Sequence, residues 1–163
     1  MKSFRIAFAV LIALFTAAAF AQSDSHAAFE KLKSLEGSWA GKAEGRSLTV
    51  TFRVTSGGSA IMSEIQGPEN MISMFHLDGD RLMMTHYCAT GNQPRMVGTI
   101  SPDGKTVTFN FLDATNVLSS QPGHMEGVVV TIIDANHHTE EWSFLDKDGA
   151  MHHHETFDLQ RQK

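Results

Sequence analysis

The chain has 163 residues, with 13 Lys and Arg against 18 Asp and Glu and a formal charge of −5 at neutral pH. No Lys/Arg cluster interrupts that acidic balance, so a nucleic-acid partner and an anionic membrane surface are both disfavoured, because each needs a basic stripe. Cys88 is the single cysteine, which excludes an intramolecular disulfide and leaves the fold to rest on its core.

Residues 1–21 read as a cleavable export signal, with the folded domain at 22–163. Lys2 and Arg5 form a basic head, residues 6–20 are apolar except for Thr16, and Ala19-Phe20-Ala21 supplies the small-x-small pattern ahead of Gln22. The run is short for a membrane span, so the expected product is exported, periplasmic or secreted, with no span after cleavage. Taking 21 residues from 163 leaves 142, and losing Lys2 and Arg5 leaves 11 basic side chains, a charge of −7. That is one domain, able to bury about two-thirds of its unfolded surface.

Ser23-Asp24-Ser25 offers N-cap oxygens, and Phe29, Leu32 and Leu35 draw one apolar stripe, which predicts a short helix closed by Gly37 at its C′ position. Beyond Gly37 the period falls to two, cut by turn signals such as Gly57-Gly58, Asp78-Gly79-Asp80, Ser101-Pro102-Asp103-Gly104 and Asp146-Lys147-Asp148-Gly149. The expected strands are 38–45, 48–56, 59–66, 70–77, 81–88, 94–100, 105–114, 124–133, 138–145 and 151–160. Ten hairpin-linked strands after one helix predict an all-β, antiparallel up-and-down barrel, since closure removes unpaired edges.

Strand parity assigns the lumen. Val50, Phe52 and Val54 alternate with Thr49, Thr51 and Arg53, as Val107, Phe109 and Phe111 do with Thr106, Thr108 and Asn110, so the apolar sets face inward. Other inward sets are wetter. Trp142 and Phe144 share parity with His138 and Glu140, Phe157 and Leu159 with His153 and Glu155, Leu82 and Met84 with His86 and Cys88, Met74 with His76, and Phe109 with Asp113.

Leu35-Glu36-Gly37-Ser38-Trp39-Ala40-Gly41 follows the helix and opens the first strand. This G-x-W-x-G element resembles that of the lipocalin-like (calycin) barrels, and is similar to the nitrobindin branch and to uncharacterised exported bacterial domains of that kind. The resemblance implies a Trp39 plug at the closed end with Arg161 packed across it, and Gly37 and Gly41 as structural glycines. It departs from nitrobindins at Gly45-Arg46-Ser47, where they carry a Tyr-Pro element, so haem ligation does not transfer by motif.

His152-His153-His154-Glu155 invites a metal reading, but neighbours on a strand face opposite sides, and the bland alternative is an exposed pair flanking one inward His153. In a regular final hairpin, His138/Glu140 and His153/Glu155 lie on adjacent strands and can meet; a register shift would part them. His138, His153 and Glu155 are the candidate metal ligands. His76 and His86 read as satisfied core imidazoles or as lumen ligands. Arg95 either pairs an anionic ligand or Asp113, or is a surface charge. His124 borders a rim with no partner legible in sequence, and Cys88 reads as a small apolar residue rather than a nucleophile.

Together these residues predict a barrel whose lumen mixes Phe, Met and Trp with His and carboxylates, which suits a small-molecule ligand. The lumen candidates are His76, His86, Arg95, Asp113, His138, Glu140, Trp142, His153 and Glu155. The alternatives are an enzyme using lumenal His/Glu pairs, and a carrier of haem or a divalent metal. No nucleophile elbow, zincin helix or phosphate loop is present in the sequence, so no catalytic residue is assigned.

Overall fold

The computed structural model describes residues 24–146 and 149–163, with residues 151–154 described by their backbone. The expected export segment lies outside the described residues. A helix, α1, covers residues 24–33. The strands then run β1 (Gly37–Ala43), β2 (Arg46–Thr55), β3 (Ala60–Gln66), β4 (Met71–Asp78), β5 (Arg81–Tyr87), β6 (Gln93–Ile100), β7 (Thr106–Thr115), β8 (His124–Asp134), β9 (His137–Leu145) and β10 (Met151–Arg161). Each pairs antiparallel with its neighbours in sequence, and β10 returns to pair with β1, closing the barrel. Every boundary falls within two residues of the sequence expectation.

The largest boundary difference is at the β1–β2 hairpin. Its loop is the two residues Glu44 and Gly45, with φ of 48° and 78°, and Ala43 pairs directly with Arg46. Two positive-φ residues match the right-handed twist of the flanking strands, so the tighter hairpin wins over a longer loop.

The helix closes one end of the barrel. Ala28, Phe29, Leu32 and Leu35 are buried in the core, and Ser25 Oγ donates to the Asp80 carbonyl at 2.6 Å, which ties α1 to the β4–β5 turn. The last turn is tightened by i→i+3 bonds, Leu35 N–H to Leu32 O and Glu36 N–H to Lys33 O, both at 3.0 Å. Gly37 therefore is not the helix's C′ residue. It opens β1 opposite Phe52, at φ 126°, and a Cβ there would lie 2.9 Å from an Arg161 guanidinium nitrogen. Gly41 is needed for a different reason: a Cβ would overlap the Asp158 carbonyl oxygen where β1 meets β10.

Trp39 is fully buried between these elements. Its indole N–H donates to the Leu35 carbonyl at 2.8 Å, and the Arg161 guanidinium lies over its ring at 4.1 Å. That guanidinium also donates to the carbonyls of Ser34 (2.9 Å), Glu36 (2.6 Å) and Ala135 (2.8 Å). One side chain from the last strand thus satisfies the end of the helix, the β8–β9 turn and the face of the first strand's indole. The plug read from the resemblance has the geometry that the resemblance implies.

Replacing Arg161 by Ala leaves those carbonyls and the indole face without a partner, and is expected to cost about 2–4 kcal/mol in urea unfolding. Arg161→Lys is expected to recover less than half of that, because an ammonium lacks the planar fork that reaches three carbonyls. A Lys variant as stable as the parent would show that the charge, not the fork, matters.

Candidate functional site

The barrel ends differ. Opposite α1, the β1–β2, β3–β4 and β5–β6 connections border an open cavity of about 310 Å³. Its walls are Leu48, Ile65, Met71, Trp142, Phe144 and Phe157, all inward residues of strands or strand ends. Cys88 and Thr90 line it from the loop after β5, and its rim carries Glu44, Arg46, Glu69 and Glu155. Arg46 lies 3.4 Å from Glu44 and 3.9 Å from Glu155. Partial burial, then the negative charge of Glu44, raise the Glu155 carboxyl above the usual carboxylate range; Arg46 offsets this and Glu69 adds to it.

Beneath the mouth, register aligns a row of small polar groups. Ser63 pairs with Ser73, and Ser73 with His86, on β3, β4 and β5, and all three are buried. His86 Nδ1 and Ser73 Oγ share a hydrogen bond of 2.9 Å, whereas His86 Nε2 is buried and has no hydrogen-bond partner among the described residues. The His86 ring meets Trp142 across the lumen at 4.8 Å. Burial lowers the His86 pKa to about 4, so the imidazole is neutral at pH 7.

Deeper still, Glu140 is enclosed with both oxygens engaged. Trp142 Nε1–H donates to Oε2 at 3.0 Å, and His138 Nε2 lies 3.4 Å from Oε1. His138 is packed edge-on to Trp39 at 4.3 Å and near Phe52 at 5.8 Å, which places it at the plugged end. The Trp142 indole therefore joins two regions, its ring lining the cavity and its N–H held by Glu140 from below.

Several expected positions differ. His76 is exposed on the outer face, because Phe75 takes the inward place and alternation turns Met74 and His76 outward. Arg95 is also outside, where it forms a two-pronged bond with Asp113 that holds the Asp113 carboxyl below its ordinary range. Asp113 leaves the Phe109 and Phe111 face because a bulge at Leu112 shifts the register: Met96 pairs with Phe111, but Arg95 pairs with Asp113.

His138 and Glu155 do not meet. His138 pairs with Leu159 and Trp142 with Glu155, so four residues of β9, about 13 Å, separate the level of His138 from that of Glu155. The backbone register shifts between His153 and Glu155. The His153 side chain lies outside the described residues. Among the described residues no three His, Cys, Asp or Glu side chains converge as a metal site would require. His124, expected at the rim without a partner, lies 3.2 Å from Glu126 and 4.5 Å from the Phe111 ring.

Of the expected lumen residues, the cavity and the layers beneath it contain His86, His138, Glu140, Trp142 and Glu155. Sequence reasoning missed Glu44, Arg46 and Glu69, which stand on or beside tight turns. A Glu-Gly dipeptide between alternating strands was the available signal for the first two.

No protein-family model matches the chain, and no curated protein matches it. Solved structures do. The chain is similar to Rv2717c from M. tuberculosis at 17% identity, with a TM-score of 0.60, covering 83% of this chain and 98% of that one. It is also similar to a protein of unknown function from the DUF3598 family of Nostoc punctiforme PCC 73102. There the identity is 12% and the TM-score 0.56, over 80% of this chain and 49% of that one. At these identities the likeness shows the fold alone: a closed antiparallel barrel, lipocalin-like at a coarse level.

The buried His86 makes stability pH-dependent. Its folded-state pKa, about 4, lies below its unfolded value, so the unfolded chain binds the proton first and stability falls as pH drops from about 6.5 towards 4. Glu155, raised in the fold, acts with the opposite sign, its native-state penalty growing as pH rises above the ordinary carboxylate range. The His86 share is therefore read by difference. Relative to a His86→Gln variant, the parent is expected to lose up to about 3 kcal/mol across that window in urea unfolding. Parallel pH profiles would show that His86 is not buried uncharged.

Proposed function

We propose that this protein is an exported barrel that binds a small, largely apolar molecule in its open mouth, a distant relative of the lipocalin-like barrels. The observation that carries the reading is the cavity itself. It is about 310 Å³, walled by apolar and aromatic side chains, with charge confined to its rim. That combination suits a ligand whose body is buried for hydrophobic gain while a few polar groups orient it. Met71 and Met125 in the lining adapt to varied shapes at low cost.

Export is supported by the basic head, apolar run and Ala19-Phe20-Ala21 of the first 21 residues. The described cavity wall carries no imidazole, so the described residues do not fit a haem at this wall. The His138–Glu140 pair is enclosed by Trp39, Phe52 and Trp142 rather than open to the cavity, which does not favour acid–base chemistry on a substrate at the mouth.

The uncharged fluorophore N-phenyl-1-naphthylamine is expected to brighten on mixing with the protein and to bind at micromolar strength. Met71→Trp, which puts an indole into the cavity, is expected to weaken that binding about tenfold or more while leaving the far-ultraviolet circular dichroism unchanged. A parent protein that leaves the fluorophore dark would overturn the reading. For export, the full chain produced in a bacterial host is expected in the periplasmic or secreted fraction, beginning at Gln22 on N-terminal sequencing. Recovery from the cytoplasm with Met1 intact would overturn that part.

A further inference from the structure

We infer that the ligand of this cavity carries one uncharged hydrogen-bonding head, a hydroxyl or a carbonyl, which is received by His86 Nε2. This rests on the binding reading above and deepens it by naming the chemical class.

The inference starts from an unexplained group. His86 is completely buried, and a structural imidazole in a core normally satisfies both nitrogens. Here Nδ1 is bound to Ser73 Oγ at 2.9 Å, and Nε2 has no partner among the described residues. Leaving such a nitrogen empty in a barrel interior is unfavourable, and nothing in the packing of β5 requires an imidazole where the adjacent layer holds Met84.

Position connects that nitrogen to the cavity. Cys88, two residues after His86, lines the cavity, as do Met71, two residues before Ser73, and Ile65, two residues after Ser63. The polar row Ser63–Ser73–His86 therefore lies one inward layer, about 7 Å, beneath the lining. Its partner across the lumen is Trp142, whose ring belongs to both the cavity wall and the His86 contact. The lining one layer above this row includes Met71, an unbranched thioether that repacks more readily than a β-branched side chain.

Charge selects the head group. The imidazole is neutral, so it offers a dipole and no countercharge. A carboxylate would have to pass Glu44, Glu69 and Glu155 and then be desolvated. An ammonium would find no free carboxylate at that depth, since both Glu140 oxygens are engaged by Trp142 and His138. A hydroxyl or carbonyl meets neither obstacle. Ser73 can donate to or accept from Nδ1, so it supports either tautomer, and Nε2 can accept from a hydroxyl or donate to a carbonyl.

The experiment is calorimetric titration of the full protein with three probes that share one aromatic body: 2-naphthol, naphthalene and 2-naphthoate. The expected order is 2-naphthol about tenfold tighter than naphthalene, with 2-naphthoate the weakest. In His86→Phe the affinity for naphthalene is expected to persist within about twofold while the preference for 2-naphthol disappears. If that variant does not fold, Ser73→Ala replaces it; with its tautomer partner gone, the preference is expected to fall several-fold.

Equal binding of 2-naphthol and naphthalene by the parent would overturn the anchor and leave the cavity reading standing. So would a preference that survives in His86→Phe, or in Ser73→Ala where that variant is used. Failure of all three probes to bind would overturn both the cavity reading and the anchor.

Discussion

A ten-strand sheet becomes a barrel only when its first and last strands meet, and here that meeting is organised by one cation on one indole. Arg161, four residues beyond Phe157 on β10, covers Trp39 of β1 and binds carbonyls from the helix end and the β8–β9 turn. Its partners on β1 and at the helix end are more than a hundred positions away, so those contacts bear the entropy of closing almost the whole chain. Gly37 and Gly41 follow from it: the first leaves room for the guanidinium, and the second lets β1 approach the β10 backbone. With this end held by α1 and Arg161, the opposite end has no plug to maintain.

The lumen is consequently graded. At the plugged end both Glu140 oxygens are engaged, by Trp142 and His138, and the Trp39 N–H by Leu35, while His138 Nδ1 has no hydrogen-bond partner among the described residues. A buried carboxyl is tolerable there because both of its oxygens have partners. One layer nearer the mouth, His86 is half satisfied. At the mouth itself the charges are solvated or paired with each other, and Arg46 stands between Glu44 and Glu155. The carboxylates thus divide along the axis, Glu140 closed in by its partners and those of the mouth facing solvent or Arg46.

Much of this was legible in the sequence, for identifiable reasons. Turn chemistry such as Asp78-Gly79-Asp80 marks hairpins locally, so the strand boundaries were readable to within two residues. Parity was readable where apolar and polar residues strictly alternate, as in β2, and for Leu82, Met84 and His86 in β5. It was ambiguous in β4, where Met74 and Phe75 are both apolar and only packing chooses Phe75. It misled at Asp113, because a bulge is a property of the paired strands and leaves no residue type that announces it. Glu44, Arg46 and Glu69 were missed for another reason: they stand on or beside turns, outside the alternation that assigns faces, and only closure of the barrel gathers them.

Those same irregularities are concentrated at the open end of the barrel. Three of the four register shifts lie towards the mouth: at Leu112 in β7, at Glu126 in β8, and between His153 and Glu155 in β10. There β7 and β8 pair only from Thr106↔Thr131 to Asn110↔Gly127 and then part, each continuing with its other neighbour. Extra residues and lost pairs bend and spread strands that regular pairing would hold together. At the plugged end near-regular ladders bring Phe52, Phe75 and Phe109 together, with ring separations of 6.5 and 5.4 Å, and the lumen is filled. One sheet thus builds a packed half and an open half, and the bulges that defeat a reading by alternation lie mostly in the open half.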